Sequence, residues 1–94
     1  MLFNKYQLDL WCSMIKSIER YRKGELSYYD FVGELEGAID AGEFQYKELI
    51  EQWYDLWTPL EILRAQNGND VSLKDSDRYL SEMETFLKNT IKED

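Results

Sequence analysis

The sequence predicts an all-α protein, an antiparallel up-and-down four-helix bundle, and three observations carry that expectation. Apolar residues recur at three- and four-residue spacing in four stretches, the period of amphipathic helices. Residues that start and stop helices stand between the stretches. The connections are short, which favours antiparallel neighbours. A chain of 94 residues, 44% hydrophobic and 15% aromatic, suits one helical domain over 1–94 and does not read as disordered.

The first helix is expected over roughly 4–23, with Leu8, Trp11, Cys12, Ile15 and Ile18 as its apolar stripe. Lys16, Arg20, Arg22 and Lys23 crowd its last turns, where cations complement the helix dipole. Gly24 follows as a residue able to take a left-handed C-terminal cap. Ser27 and Asp30 then form a capping-box pattern, with Asp in place of the usual Glu, and Leu26 and Phe31 fit a hydrophobic staple. The second helix buries Tyr28, Phe31, Val32, Leu35, Ala38 and Ile39 and ends at Gly42. Gly33 and Gly37 inside it cost roughly 1 kcal/mol each relative to Ala. They read either as a close helix–helix approach or as simple tolerance.

From about 44 to 66, Tyr46, Leu49, Ile50, Trp53, Leu56, Trp57, Leu60 and Leu63 keep one helical phase through Pro59. Thr58-Pro59-Leu60-Glu61 also reads as a fresh helix start. The unbroken phase predicts one long third helix kinked near residues 55–59. Trp53 and Trp57 lie on its core stripe. Residues 67–75, with the turn Asn67-Gly68-Asn69-Asp70, form the one sizeable loop. It is no calcium loop, because the twelfth position from Asn67 is Arg78 where a bidentate Glu is needed. The fourth helix is expected over roughly 73–91, on Tyr79, Leu80, Met83, Phe86, Leu87 and Ile91.

Catalysis finds no assembled group here. Histidine is absent, which removes the commonest general base and metal ligand. Cys12, between Trp11 and Ile15, reads as an inert core thiol, and one cysteine permits neither an internal disulfide nor a thiolate cluster. Ser27 is explained by capping, the other serines have no evident base, and no Gly-rich phosphate loop occurs. A hydrolase using carboxylates alone is conceivable, but a chain this short leaves little room for a substrate cleft. The expectation is therefore no enzyme, no cofactor and no metal. The N-terminus lacks the pattern of a signal peptide and no apolar run reaches membrane-spanning length, so a reducing, cytoplasmic setting is expected.

Charge is regional. Residues 1–24 carry +3, residues 25–61 carry −9 with Lys47 as their sole cation, and residues 62–94 carry −2, within a net charge of −8. Such a middle segment repels nucleic acid and anionic membrane and steers cationic partners toward itself. On the third helix Glu48, Glu51 and Asp55 fall at i, i+3 and i+7, one ridge. On the second, Asp30 and Glu34 are i, i+4 neighbours, as are Glu36 and Asp40. Like charges at that spacing cost roughly 0.2–0.5 kcal/mol each. Tyr54 lies beside the ridge, and Tyr29 is similarly placed on the second helix; tyrosines in a charged field resemble interface hot spots. The candidate partner-binding residues are Asp30, Glu34, Glu48, Glu51, Tyr54 and Asp55. The competing reading is a solvated acidic face that only confers solubility.

The run Ile18-Glu19-Arg20-Tyr21-Arg22-Lys23-Gly24-Glu25-Leu26-Ser27, followed by Asp30-Phe31-Val32, resembles the opening of small helical bacterial proteins of the colicin-D-immunity-like type. Trp57-Thr58-Pro59-Leu60-Glu61-Ile62-Leu63 and Leu80 to Phe86-Leu87 fit their layout. The resemblance implies an immunity protein that neutralises a cognate toxin, often a nuclease, by covering its cationic active site. It transfers no contact residue, so the candidate site comes from this chain's own charge map. Two other roles stay open: a self-associating scaffold, with the glycines of the second helix or the exposed tyrosines forming a homodimer seam, and a regulatory adaptor for a basic segment.

Overall fold

The computed structural model describes residues 2–93 and contains four helices. The first, α1 (Lys5–Arg22), begins with a capping box: the Asn4 side chain accepts from the Gln7 amide (2.8 Å) and the Gln7 side chain accepts from the Asn4 amide (3.1 Å). It ends in a Schellman motif. The Glu25 amide donates to the Arg20 carbonyl and the Gly24 amide to that of Tyr21, with Gly24 left-handed at φ +76°.

Ser27 caps α2 (Tyr28–Ala41) by accepting from the Asp30 amide at 3.2 Å. Only the serine half of the expected box forms among the described residues, consistent with an Asp side chain one methylene shorter than Glu. A second exposed donor of this helix start, the Tyr29 amide, is taken by the Asn69 side chain at 2.8 Å.

The third helix, α3 (Lys47–Asn67), is continuous with Pro59 inside it. Thr58 starts no new helix; its hydroxyl donates back to the Tyr54 carbonyl at 2.7 Å. Gly68, at φ +60°, ends α3. Ser72 caps α4 (Leu73–Lys92) through the Asp75 amide, which shortens the loop to residues 68–72.

Each helix packs on two neighbours: α1 and α3 both lie against α2 and α4, and neither diagonal pair is in contact among the described residues. Contacts at the two ends establish the up-and-down order. At one end Gln7 of α1 donates to the Gly42 carbonyl after α2 (2.9 Å), while the Tyr46 hydroxyl before α3 reaches the Leu2 carbonyl (3.1 Å). At the other, Arg64 of α3 reaches the Tyr29 carbonyl (3.3 Å) and Tyr21 of α1 the Val71 carbonyl (3.4 Å). No helix among the described residues is long and apolar enough to cross a membrane.

The core is rich in aromatics. Trp11, Phe31 and Trp53 are fully buried, and Trp57 stacks on Trp53 at 5.7 Å while donating its indole N–H to the Val32 carbonyl (3.2 Å). Tyr28 donates to the Leu60 carbonyl at 2.7 Å in the same interior.

Two expectations need correction, and one choice left open is decided. Cys12 is exposed, not a core thiol. The buried seam of α1 runs through Trp11, Met14 and Ile18, and a residue one step after Trp11 is turned about 100° away from it. Leu8 and Ile15 are accordingly only half-buried. Tyr46 lies before α3 as its N-cap and is exposed, with its ring edge-on to Phe3. Gly33 and Gly37 serve no close helix approach. A Cβ at Gly37 would meet nothing within 4 Å, and one at Gly33 only the tip of Arg64 at 3.4 Å. The glycine that packing does demand is Gly42, whose missing Cβ makes room for the Phe44 ring.

Candidate functional site

The six candidate residues fall in three places. Glu48, Glu51 and Asp55 stand together on the outer face of α3, all exposed. Lys47 approaches Glu51 at 4.0 Å, with both side chains mostly in solvent, a pair worth little. Glu48 and Asp55 have no cation within 4 Å among the described residues. Ile62, half exposed, continues this face seven residues beyond Asp55.

Glu34 is elsewhere. It faces α1, accepting from the Ser17 hydroxyl at 2.9 Å and approached by Arg20 at 3.5 Å. Its expected neighbour Asp30 is exposed in the first turn of α2, where a carboxylate complements the helix dipole. The structure therefore does not join Asp30 and Glu34 to the ridge of α3 as one charged surface.

Tyr54 occupies the border of α3 with α2. Its ring stands edge-on to Trp53 (4.9 Å) and Trp57 (5.8 Å), so the side chain is half-buried. The phenol is pushed above its ordinary value first by burial, then by the carboxylates of Asp40 and Glu36, with a hydrogen-bonding contribution from Asp40. These two acids, not Asp30 and Glu34, are what α2 brings to Tyr54. Their i, i+4 spacing is visible in the sequence; which face of α2 meets α3 is not. Tyr29 is exposed but engaged, with the Arg64 guanidinium 4.8 Å above its ring.

The site is thus an acidic ridge with an aliphatic residue at one end and a tyrosine-centred acidic pair along one flank. Among the described residues no group of three or more His, Cys, Asp or Glu side chains is arranged to hold a metal ion. What the arrangement offers is a fixed negative potential on a rigid helix, suited to attracting cations on a partner's surface. No protein-family model matches the chain, and neither a curated protein nor a solved structure is similar enough to count as a match.

Proposed function

We propose that this chain is a non-catalytic binding protein of the toxin-immunity kind, acting in the cytoplasm, which covers a cationic protein surface with the outer face of α3. One observation carries the reading: among the described residues, Glu48, Glu51 and Asp55 line up in solvent with only Lys47 in reach. Like charges on one ridge oppose helix formation by a few tenths of a kcal/mol per pair. Held on a rigid helix, they attract a basic partner over a Debye length and raise the association rate. If the partner is a nuclease, three carboxylates spaced along a helix occupy the groove that otherwise receives phosphates. The resemblance to helical immunity proteins supplies the toxin as partner class.

The test looks for a toxin encoded beside this chain, whose absence sinks the proposal, and titrates its purified toxic domain with the protein. Wild type binds tightly, and the variant Glu48→Lys/Glu51→Lys/Asp55→Lys loses at least about 100-fold in affinity, roughly 2.7 kcal/mol. A toxic neighbour that this chain fails to bind, or equal affinity in the triple variant, sinks the proposal.

A further inference from the structure

Between α1 and α2 runs an open groove of about 440 Å³, floored by Leu10, Ser13, Gly37 and Ala38 and rimmed by Lys16, Arg20 and Glu34. The floor is dry in character. Ser13 spends its hydroxyl on the Leu10 carbonyl (2.7 Å), and Ser17 beside it donates to Glu34 (2.9 Å). The rim is open and carries one positive charge in excess: Lys16 has no carboxylate within 4 Å among the described residues, and Arg20 meets only Glu34, with half its side chain in solvent. Gly37 lies within a helix, where glycine costs about 1 kcal/mol relative to Ala, although no neighbour or positive φ requires it. A side chain there would project into this groove.

The chain carries a surface complementary to it. Lys16 and Arg20 are four residues apart on α1, about 6 Å along the axis, and Glu51 and Asp55 are four apart on α3, the same rise. Ile62 lies about 10.5 Å beyond Asp55, and Leu10 about 9 Å before Lys16. With the two helices antiparallel, Asp55 meets Lys16, Glu51 meets Arg20, and Ile62 arrives at the Leu10 end of the groove. We infer that the outer face of α3 in one copy docks into the α1–α2 groove of a second copy in this register.

The two surfaces differ, so the contact is heterologous and each added copy leaves one groove and one ridge free. The net charge of −8 opposes close approach. That repulsion is screened beyond about 8 Å at about 0.15 M salt, whereas the paired charges are in contact. The interface does not rest on the proposed immunity role and shares only the α3 face with it.

Two variants separate the halves of the contact. Gly37→Leu fills the groove and keeps the ridge; Glu51→Lys/Asp55→Lys reverses the ridge and keeps the groove. Sedimentation velocity at about 0.15 M salt, up to about 1 mM protein, shows wild type growing in size with concentration. Each variant alone stays monomeric, and an equimolar mixture forms a 1:1 pair that grows no further. Wild type that remains monomeric throughout overturns the inference, as does self-association of either variant alone or a mixture that forms no pair. Should Gly37→Leu fail to fold by circular dichroism, Lys16→Ala/Arg20→Ala takes its place with the same expected results, because it gives the reversed ridge no new carboxylate to pair with. Gly37→Leu keeps the whole ridge, so its undiminished binding to the neighbouring toxic domain tests the immunity reading separately.

Discussion

Along the α1–α4 seam, Arg22 reaches Glu84 at 3.1 Å and Asp77 at 3.5 Å, touches the Ser81 hydroxyl, and leaves Glu84 a second cation in Lys88 at 3.9 Å. Across the α2–α3 seam no ion pair forms among the described residues. Glu36 and Asp40 instead face Tyr54, and the one cation there, Arg64, is paired within its own helix to Glu61 and laid over Tyr29. Both seams bury apolar surface, so the difference lies at their edges. One is closed by compensated charge. The other is closed by aromatic rings and carries carboxylates, Glu36 and Asp40, that form no ion pair among the described residues. Packing alone gains nothing from the second arrangement, and it is on this side that we place a partner's charge.

The sharpest way to break the comparison is to remove the aromatic closure. Trp57→Ala takes away the stack on Trp53, the edge contact with Tyr54 and the indole bond to the Val32 carbonyl. It is expected to cost about 3–5 kcal/mol, read as a fall in the urea midpoint at constant slope. A loss below about 1 kcal/mol would mean that α2 and α3 are held by something other than these rings.

A second effect comes from the phenols at this seam. Tyr28 is pushed well above its ordinary value of 10.0, mostly by burial, and Tyr54 is raised by burial and by Asp40 and Glu36. A phenol whose folded pKa exceeds its unfolded one keeps its proton longer in the native state. Its contribution is whole below the unfolded pKa near 10 and falls away as pH rises past it. Urea midpoints are therefore expected to be flat between about pH 8 and about pH 9.5 and to decline above about pH 10. Tyr28→Phe flattens that decline more than Tyr54→Phe does, although it lowers the whole curve by removing the bond to the Leu60 carbonyl. An unchanged alkaline slope in both variants would place the titrating group elsewhere.

Helix placement was largely legible because caps and periodicity are local. Ser27, Gly24 and the stripe that runs through Pro59 all act within a few residues of themselves. The misses share a different cause. Phe3 and Phe44 belong to the core but lie outside any helix, so no period marks them. Gly42 is explained only once the Phe44 ring is seen folded back over it. Cys12 was misplaced because adjacent residues on a helix differ by a 100° turn, and Met14, not Cys12, belongs to the seam. The candidate site suffered most. Periodicity tells which residues share a face of α2, and not whether that face meets α1 or α3. Glu34 was therefore grouped with the ridge while Glu36 and Asp40, the acids beside Tyr54, were left out.

The smallest effect is the most diagnostic, because its sign should reverse between the seams. Arg22→Ala leaves Glu84 and Asp77 without their shared cation at a partly buried position, and is expected to destabilise by roughly 1 kcal/mol. On the other seam Asp40 occupies the last turn of α2, at the negative end of the helix dipole, four residues after Glu36 and beside Tyr54. Replacing it should relieve the dipole and the i, i+4 repulsion together. Asp40→Lys is accordingly expected to stabilise by about 0.3–1 kcal/mol, with the gain shrinking as salt is added. If Asp40→Lys destabilises instead, the interaction of the Asp40 carboxylate with the Tyr54 phenol outweighs the repulsion, and the acidic edge is structural. If it stabilises, the chain carries at position 40 a residue worse for its own folding than a simple alternative, as expected of an edge kept for a partner's charge.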